Sequence, residues 1–395
     1  MTTLLTRRKF IETACWSGVS AAVMPTVSFA RAQTDNRLVF VLLRGAMDGL
    51  HAVVPVGDPA YASTRGRLAY QAADLSMIDS TFGLAPGLSS LAQDFRRGEL
   101  LAIQGVAIPY RTRSHFDAQT ILETGMNRPV GSATGWINRT LGALGGQTGL
   151  GIAVGGGLPK SLQGDVSVST WAPGGGQAET EGFDDFLAQL YQNDSDLNDP
   201  YMAAQMLQEQ AMGMGMNKRR RKGSGRMNQL FSTTAKFLSE PEGPRIAALE
   251  LSGWDTHANQ GLKGGLLDRN LETLAQGLQT LKSGFSKRDW SKTVVVVATE
   301  FGRTAAANGN NGTDHGTAGA TLLYGGAVRG GRVMADWPGL AKAKLYEGRD
   351  LRPTLDTRQI LKGVLAHHYD LTRRILDTEV FPDSGAFTAL PAVLK

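Results

Sequence analysis

Five short clusters of polar residues stand out in this 395-residue sequence, because their side chains can bind metals and transfer protons. Carboxylate oxygens and imidazole nitrogens form the donor set for zinc, manganese and other divalent ions where cysteine is absent. Two carboxylates that point into one crevice repel each other unless a cation or a proton lies between them. The clusters therefore predict a metal site. They are RGAMDGL at 44–50 with Asp48, RSHFD at 113–117 with Ser114 and His115, GWDTH at 253–257 with Asp255 and His257, TEFGRT at 299–304 with Glu300 and Arg303, and TDHG at 313–316 with His315.

Each cluster also has a purely structural interpretation, which the sequence leaves open. Asp48 suits a turn, Asp255 suits a helix cap, and Ser114 suits the cap of the helix that follows it. Arg303 can form an ion pair with Glu300, and the Asp-His pair of the fifth cluster suits a hydrogen bond within a loop. One cluster alone is weak support, but their shared position beside strand-like runs favours a common site.

Strand-like runs precede or border these clusters, and helical patterns alternate with them. The run TVVVVAT at 293–299 is rich in β-branched residues and bounded by polar ones, which is typical of an interior parallel strand. Ligands of open α/β sheets bind at the carboxyl ends of such strands. We therefore predict an α/β fold with a central, mostly parallel sheet flanked by helices. Further strands are predicted at 37–43, 100–106, 246–251 and 319–324, and helices at 88–95, 116–123, 184–192, 201–212, 266–281 and 357–367.

The first 32 residues are typical of an export signal and are set apart from the fold. Arg7 and Arg8 precede a moderately apolar stretch that ends in the small-x-small pattern ARA at 30–32. Paired arginines in this position indicate twin-arginine export. Glu12 and Pro25 interrupt the apolar stretch, which argues against a stable membrane span after cleavage. We therefore predict a periplasmic or secreted protein with the twin-arginine translocase as a partner.

Charge and cysteine content exclude several classes of protein. The formal charge is +5, and loss of the signal, with its four basic residues and one acidic residue, lowers that charge to +2. The basic run KRRRK at 218–222 lacks interleaved aromatic residues, so we predict a flexible basic insertion around 213–226 and no nucleic-acid partner. The only cysteine, Cys15, lies in the signal. The mature chain, predicted as one domain over 33–395, therefore has neither disulfides nor thiol catalysis.

Seven segments together resemble the exported family called domain of unknown function 1501, which is placed within the alkaline phosphatase and sulfatase superfamily. These segments span nearly the whole mature chain. The resemblance implies an alkaline-phosphatase-like α/β domain. The segments are RLVFVLLRGAMDGL, RTRSHFDAQTILETG, TGWINR, GWDTHANQG, VVVVATEFGRT, GTDHGTAGATLLYGGAVRGGRV and LKGVLAHHYDL.

The resemblance implies metal-binding roles for five residues by their positions in these segments. Asp48 matches the metal-binding aspartate after the superfamily's first strand, and Asp255 with His257 matches its next metal motif. Glu300 stands where that superfamily usually has the aspartate of Asp-His-Gly, and His315 resembles its last metal histidine. These five are the predicted ligands of one or two divalent ions, which we expect to be zinc, manganese, calcium or magnesium.

The same resemblance implies the residues that act on a substrate. The nucleophile position precedes the helix predicted at 116–123, and either Ser114 or His115 occupies it. Apart from these positional matches, Arg303 or Arg113, which both lie in the polar clusters, is predicted to hold an anionic oxygen of the substrate. Phe301 stands where the superfamily usually has a metal histidine, so one of its two metal positions loses a ligand. Because the mature chain has no cysteine, formylglycine-dependent sulfatase chemistry is excluded.

Two functional hypotheses follow from the resemblance and the clusters. The first is an exported metal-dependent hydrolase of phosphate or sulfate esters, acting on an anionic small-molecule or polysaccharide ester. The second is a non-catalytic periplasmic binding or assembly protein that retains a degenerate metal or anion site, because a fold does not by itself fix a function. Metal analysis followed by ester hydrolysis assays separates the two.

Overall fold

The structure, a computed structural model, describes residues 34–129, 134–173 and 224–395. The predicted export signal, the helices predicted at 184–192 and 201–212, and most of the predicted basic insertion lie outside the described residues. The last three residues of that insertion begin a helix at Ser224. In the described part, no helix has both the length and the apolar character that a bilayer span requires.

A nine-stranded sheet forms the centre of the fold, with the strand order β8-β2-β7-β6-β1-β5-β3-β4 and β9 beside β2. Strand β7 is antiparallel to both of its neighbours, and every other pairing in this sheet is parallel. The predicted α/β class with a central, mostly parallel sheet is therefore confirmed. The strands are β1 (Arg37–Arg44), β2 (Leu100–Ala107), β3 (Gly151–Val154), β4 (Ser169–Trp171), β5 (Ile246–Ser252), β6 (Thr293–Thr299), β7 (Gly319–Tyr324), β8 (Arg332–Met334) and β9 (Leu355–Asp356).

Helices cover both faces of this sheet, and a second, small sheet lies outside it. The small sheet consists of Val53–Val54, Ser76–Met77 and Gly83–Leu84. The predicted helix at 88–95 is instead a 3₁₀ segment, Pro86–Leu91, followed by a short α-helix. The α-helices are α1 (Gly49–Ala52), α2 (Tyr61–Arg65), α3 (Ala92–Arg96), α4 (His115–Thr124), α5 (Trp136–Ala143), α6 (Ser224–Ser239), α7 (Leu266–Ser283), α8 (Lys287–Ser291), α9 (Thr357–Tyr369) and α10 (Arg373–Ile375).

The central strand β1 divides the hydrophobic core into two layers. Its side chains alternate between the faces of the sheet, since successive residues of a strand point in opposite directions. Phe40 packs in the layer that contains α5 and α9, and Val41 packs in the layer that contains α6 and α7. Because both faces of β1 are covered, its six interior residues, 38–43, are all apolar and do not alternate with polar ones. The core therefore holds β1 and its neighbours rigidly, with their carboxyl ends at one edge of the sheet.

Candidate functional site

All five polar clusters meet at the edge of the sheet where the parallel strands end. Gly45 follows β1, Asp255 lies three residues after β5, and Glu300 follows β6 directly. His115 begins α4, which the chain reaches after β2. Because β7 is antiparallel, its first residue lies at this same edge, so His315, four residues before it, arrives beside the others. The direction of β7 is therefore what brings the fifth cluster to the site.

Three histidines and one aspartate converge, and we call them the histidine cluster: His115, Asp255, His257 and His315. The Nε2 atom of His315 lies 3.0 Å from Nε2 of His115 and 2.8 Å from Nε2 of His257. Asp255 places Oδ2 3.5 Å from Nε2 of His115, and its Oδ1 lies 3.5 Å from Nε2 of His315 and 3.1 Å from Nε2 of His257. These four side chains therefore direct their donor atoms at one small volume.

The distances between three of these donors match the dimensions of a metal site. His115, Asp255 and His315 each offer one ligand atom, and these atoms lie within 4.8 Å of one another. Metal–nitrogen bonds of 2.0–2.1 Å in a tetrahedral site separate the ligand atoms by about 3.3 Å. The two histidine nitrogens lie 3.0 Å apart, and each lies 3.5 Å from an oxygen of Asp255, which is Oδ2 for His115 and Oδ1 for His315. His257 is not one of this trio, and its side chain is 44% exposed, close to the 43% of Asp255.

The second ring nitrogen of each histidine, Nδ1, forms a hydrogen bond to a carboxylate oxygen or to a backbone carbonyl oxygen. An ionised carboxylate and a carbonyl can only accept hydrogen bonds. Nδ1 of His115 lies 2.8 Å from Oε1 of Glu300, and Nδ1 of His257 lies 3.2 Å from Oδ1 of Asp314. Nδ1 of His315 lies 3.1 Å from the carbonyl oxygen of Arg113. The Nδ1 atoms therefore carry hydrogens, so the Nε2 atoms that face one another offer lone pairs wherever they are not themselves protonated. Such an arrangement requires a cation or a proton between the Nε2 atoms. Metal-binding histidines also donate their other ring N–H to a carboxylate or carbonyl oxygen, as these three do.

Charged groups around the cluster shift the pKa values of its members. The hydrogen bond to Glu300 raises the pKa of His115, whereas burial and the nearby His115 ring lower the pKa of His315. Burial by itself would raise the pKa of Asp255, but Arg303, His257 and His115 together outweigh it and the pKa is lowered. Glu300 is buried, yet hydrogen bonds led by that from His115 hold its pKa below the usual range. Both carboxylates are therefore anionic at neutral pH, which favours a bound cation.

Glu300 does not face the other donors, because its oxygens are bonded to groups that fix it behind His115. Oε1 accepts hydrogen bonds from the backbone nitrogen of Gly45 and from Nε2 of Gln119, each at 2.9 Å. Oε2 accepts one from Oγ1 of Thr299 at 2.9 Å. The structure thus places Glu300 behind His115 and outside the trio of facing donors, and its predicted role as a ligand stays a prediction.

Gln119 was missed by the sequence analysis, although its spacing carried a signal. It lies four residues after His115 in α4, so both side chains are on the same face of the helix. Gln119 also accepts a hydrogen bond from Nη1 of Arg44 at 2.5 Å.

Gly45, which follows Arg44, has a φ of +119°, and a Cβ there would lie 2.5 Å from the backbone nitrogen of Asp255. A glycine is therefore needed where the end of β1 approaches the backbone of Asp255.

Arg303 places a buried guanidinium next to the cluster. Its Nη1 lies 2.8 Å from Oδ1 of Asp255, and its side chain has no exposed surface. That contact meets the distance for an ion pair, but the angles at the guanidinium are poor, and none of its nitrogens has a well-directed hydrogen bond among the described residues. Guanidinium N–H groups that lack a well-placed acceptor are costly to bury. The arrangement suits an additional oxygen, such as that of water or an anionic ligand, at this position.

Asp48, which the sequence analysis placed among the ligands, has other partners in the structure. It is fully buried, and its Oδ2 forms a salt bridge of 2.6 Å with Nη2 of Arg65. Oδ2 also accepts a hydrogen bond from Nε2 of Gln260 at 2.9 Å, and Oδ1 caps helix α1 by accepting from the nitrogens of Leu50 and His51. The Arg65 guanidinium supplies the positive charge that this buried carboxylate needs. We therefore leave Asp48 out of the ligand set proposed below.

Two residues were predicted for the nucleophile position. His115 is a member of the histidine cluster, and Ser114 is not. Ser114 occupies the N-cap position of α4 without a side-chain hydrogen bond to the helix. Its side chain interacts with Tyr110. Arg113 bonds Asp350 and Glu347, so its guanidinium is already paired.

Phe301 fills a position beside the histidines with a ring that cannot bind a metal. It is buried, and it stacks on His115 with ring centroids 4.9 Å apart and an interplanar angle of 29°. Its centroid lies 5.2 Å from that of His315. Phe301 therefore fixes the planes of two histidines by packing, and the described cluster provides donors for one metal ion.

A family comparison matches most of the chain. The family described as "Protein of unknown function (DUF1501)" matches residues 99–380. No curated protein matches the chain at a significant level.

Solved structures similar to this chain share little sequence with it. One is of Ps i-CgsB in complex with k-i-k-neocarrahexaose, with a TM-score of 0.35 and 11% identity over 74% of this chain and 66% of the other. A protein in the alkaline phosphatase superfamily from Vibrio parahaemolyticus has a TM-score of 0.41 and 9% identity, over 85% and 67%. The periplasmic domain of EcEptC from Escherichia coli, in complex with Zn, has a TM-score of 0.33 and 10% identity, over 74% of each. This chain thus spans about two thirds of the length of each of the first two structures.

Proposed function

Since the chain belongs to the family of unknown function DUF1501, whose description names no activity, we propose from the site geometry that it is a metal-dependent hydrolase of phosphate or sulfate esters. The observation that carries this proposal is the histidine cluster. Its Nε2 lone pairs converge with a carboxylate, while each Nδ1 is held by an oxygen. A buried guanidinium with unsatisfied donors lies beside it.

The donor set fits a zinc ion better than the other ions considered. Imidazole nitrogen with a carboxylate oxygen is a common zinc environment. Magnesium and calcium prefer oxygen ligands, and the trio of His115, Asp255 and His315 offers two nitrogens and one oxygen. When bound, such an ion polarises an ester oxygen and lowers the pKa of a bound water molecule.

The remaining residues would prepare the site for an anionic ester. Glu300 fixes the ring plane of His115 and increases the basicity of its Nε2 atom. Arg303 can donate two parallel hydrogen bonds to oxygens of a phosphate or sulfate group, which is the geometry a planar guanidinium favours. Its proximity to Asp255 means that a bound ester would lie next to the cation site. A charged ester would therefore be held by a cation on one side and by Arg303 on the other.

His257 decides between this proposal and a non-catalytic alternative. Structural zinc sites have four protein ligands, whereas catalytic sites keep one position open. If His257 joins the trio as a fourth ligand, the site is closed, and a binding or assembly role is favoured. If it stays outside the ligand set, its Nε2 atom can transfer a proton to or from the reacting ester. The position of His257 outside the trio whose ligand atoms all lie within 4.8 Å of one another favours the second arrangement.

The test is metal analysis followed by hydrolysis assays. Protein that has been purified without a metal-affinity column should contain about one zinc ion per chain, measured by mass spectrometry. It should then hydrolyse at least one of a phosphomonoester, a phosphodiester and a sulfate ester, and lose that activity after chelation. Arg303→Lys keeps the charge but loses the planar fork, so it should raise the KM for the ester. A chain with bound zinc but no turnover on any of the three classes would leave only the non-catalytic alternative.

The predicted export signal, residues 1–32, lies outside the described residues. We propose that the twin-arginine translocase carries the protein to the periplasm or beyond, because Arg7 and Arg8 precede a weakly apolar stretch with a cleavage pattern. This pathway carries folded proteins, which would allow a metal to be bound before export.

A further inference from the structure

One buried glutamine, Gln260, connects the two loops that carry most of the histidine cluster. We call residues 253–260 the Asp255 loop and residues 308–316 the His315 loop. Gln260 is fully buried, and its side-chain hydrogen bonds to Thr256, Asp48 and Thr313 do not involve a member of the histidine cluster. Its side-chain amide nevertheless bonds to both loops, which makes it a candidate for setting their separation.

The orientation of this amide is fixed by Asp48. A carboxylate only accepts hydrogen bonds, so the 2.9 Å contact to Oδ2 of Asp48 must be made by the Nε2 side of Gln260. Asp48 is itself held by Arg65, whose Nη1 bonds the carbonyl oxygens of Thr304 and Ala305 at 3.3 and 3.2 Å. The Oε1 atom of Gln260 therefore points away from Asp48.

Both loops donate to that single oxygen. Oγ1 of Thr256 lies 2.8 Å from Oε1 of Gln260, and Oγ1 of Thr313 lies 2.9 Å from it. Thr256 stands between Asp255 and His257 in the sequence, and Thr313 stands two residues before His315. An amide oxygen has two lone pairs, so the two threonines use its full capacity. The Oε1 atom of Gln260 thus accepts hydrogen bonds from two threonines that lie within two residues of Asp255, His257 and His315 in the sequence.

The backbones of the two loops are also in close contact. The nitrogen of Thr313 donates to the carbonyl oxygen of Thr256 at 3.2 Å. A Cβ added to Gly312 would lie 2.4 Å from backbone atoms of His257. Because the loops are this close, a shift of the threonine hydroxyls would be transmitted to His257 and His315 with little slack.

We infer that Gln260 is a positioning residue, which holds the Asp255 loop and the His315 loop at the separation that makes the histidine cluster a metal site. The inference rests on the proposed metal site. Asp48 supports the same unit indirectly, because its charge fixes the amide of Gln260.

The test compares two buried glutamines replaced by methionine, which has a similar length but no amide. Gln260→Met removes the shared acceptor. Gln104→Met is the matched control, because Gln104 is also buried and bonds the carbonyl oxygens of Gly49 and Val53, away from both loops. Zinc affinity, measured by competition with a chromophoric chelator, should fall about ten- to a hundredfold in Gln260→Met and stay within about twofold of wild type in Gln104→Met.

A second readout does not depend on metal binding. In metal-free protein, the ring nitrogens of His257 and His315 can be followed by ¹⁵N NMR, and their signals report which nitrogen carries the hydrogen. Gln260→Met should shift both sets of signals, whereas Gln104→Met should leave them in place. Where Gln260→Met does not fold, Thr313→Val replaces it, since this near-isosteric change removes one of the two hydroxyl donors.

The outcomes separate this inference from the proposed function. If wild-type protein binds no zinc, the proposed function fails, but the NMR comparison still decides the role of Gln260. The inference is overturned if Gln260→Met, or Thr313→Val in its place, leaves the ring signals of His257 and His315 unchanged. It is also overturned if Gln104→Met shifts them equally, because the effect would then be a general loss of packing.

Discussion

Replacing Glu300 with glutamine should weaken metal binding without removing a ligand of the proposed site. Glu300 is buried, and its Oε1 atom accepts hydrogen bonds from three donors. These are Nδ1 of His115 at 2.8 Å, the backbone nitrogen of Gly45 at 2.9 Å and Nε2 of Gln119 at 2.9 Å. The carboxylate thereby selects the ring form of His115 in which Nε2 is free to bind a cation.

The size of the effect follows from the bonds that an amide can replace. The oxygen of a glutamine side chain accepts two hydrogen bonds well, so one of the three donors now at Oε1 loses its partner. An unpaired buried donor costs about 1–3 kcal/mol of folding stability. Loss of the negative charge also makes His115 a weaker base, and changes to such supporting groups typically cost 10- to 100-fold in metal affinity. That range corresponds to about 1.4–2.7 kcal/mol of binding free energy.

Two measurements test this expectation. Zinc affinity is measured by competition with a chelator, and the free energy of unfolding of metal-free protein is measured in urea. Glu250→Gln is the matched control, because Glu250 lies near the end of strand β5, bonds Arg44 and is partly exposed. We expect Glu300→Gln to lose affinity and the control to keep it. A folded Glu300→Gln variant with wild-type zinc affinity would refute the role assigned to Glu300.

Three further predictions concern export, the nucleophile position and acid stability. Replacing Arg7 and Arg8 with lysine should leave the precursor in the cytoplasm, as judged by cell fractionation, and normal export of that variant would contradict the twin-arginine assignment. His115→Ala should lose bound metal and turnover, whereas Ser114→Ala should keep its metal; a fall in turnover of about 10³-fold in Ser114→Ala with metal retained would instead identify Ser114 as a nucleophile. Burial lowers the pKa of His368 from 6.5 to about 4, so the unfolded chain binds a proton in this range that the folded chain does not. Stability from this group is therefore complete above pH 6.5 and is lost as the pH falls towards 4, by up to about 3 kcal/mol. His368→Gln should show a shallower decline in urea midpoint over that range, and identical declines in both proteins would exclude this cause.

The sequence by itself determined the fold class and the position of the site along the chain. The strand predicted at 293–299 has those bounds in the structure, and so does the strand predicted at 319–324. Continuous β-branched and apolar runs can be buried on both faces, so their pattern needs no information from distant residues. Polar residues that closely follow such runs lie at a sheet edge, which is why Asp255 and Glu300 were among the predicted site residues.

Only the tertiary structure decided which polar side chains face one another. Asp48 and Asp255 look alike in sequence, since each follows a strand, but Arg65 neutralises the first and the histidines surround the second. The roles of Gln119 and Gln260 also emerged only there. Local sequence specifies where a strand ends, whereas the partners of a side chain depend on the order and direction of strands that are far apart in the chain. Here the antiparallel direction of β7 returns His315 to the edge where the parallel strands end, and no local pattern encodes that meeting.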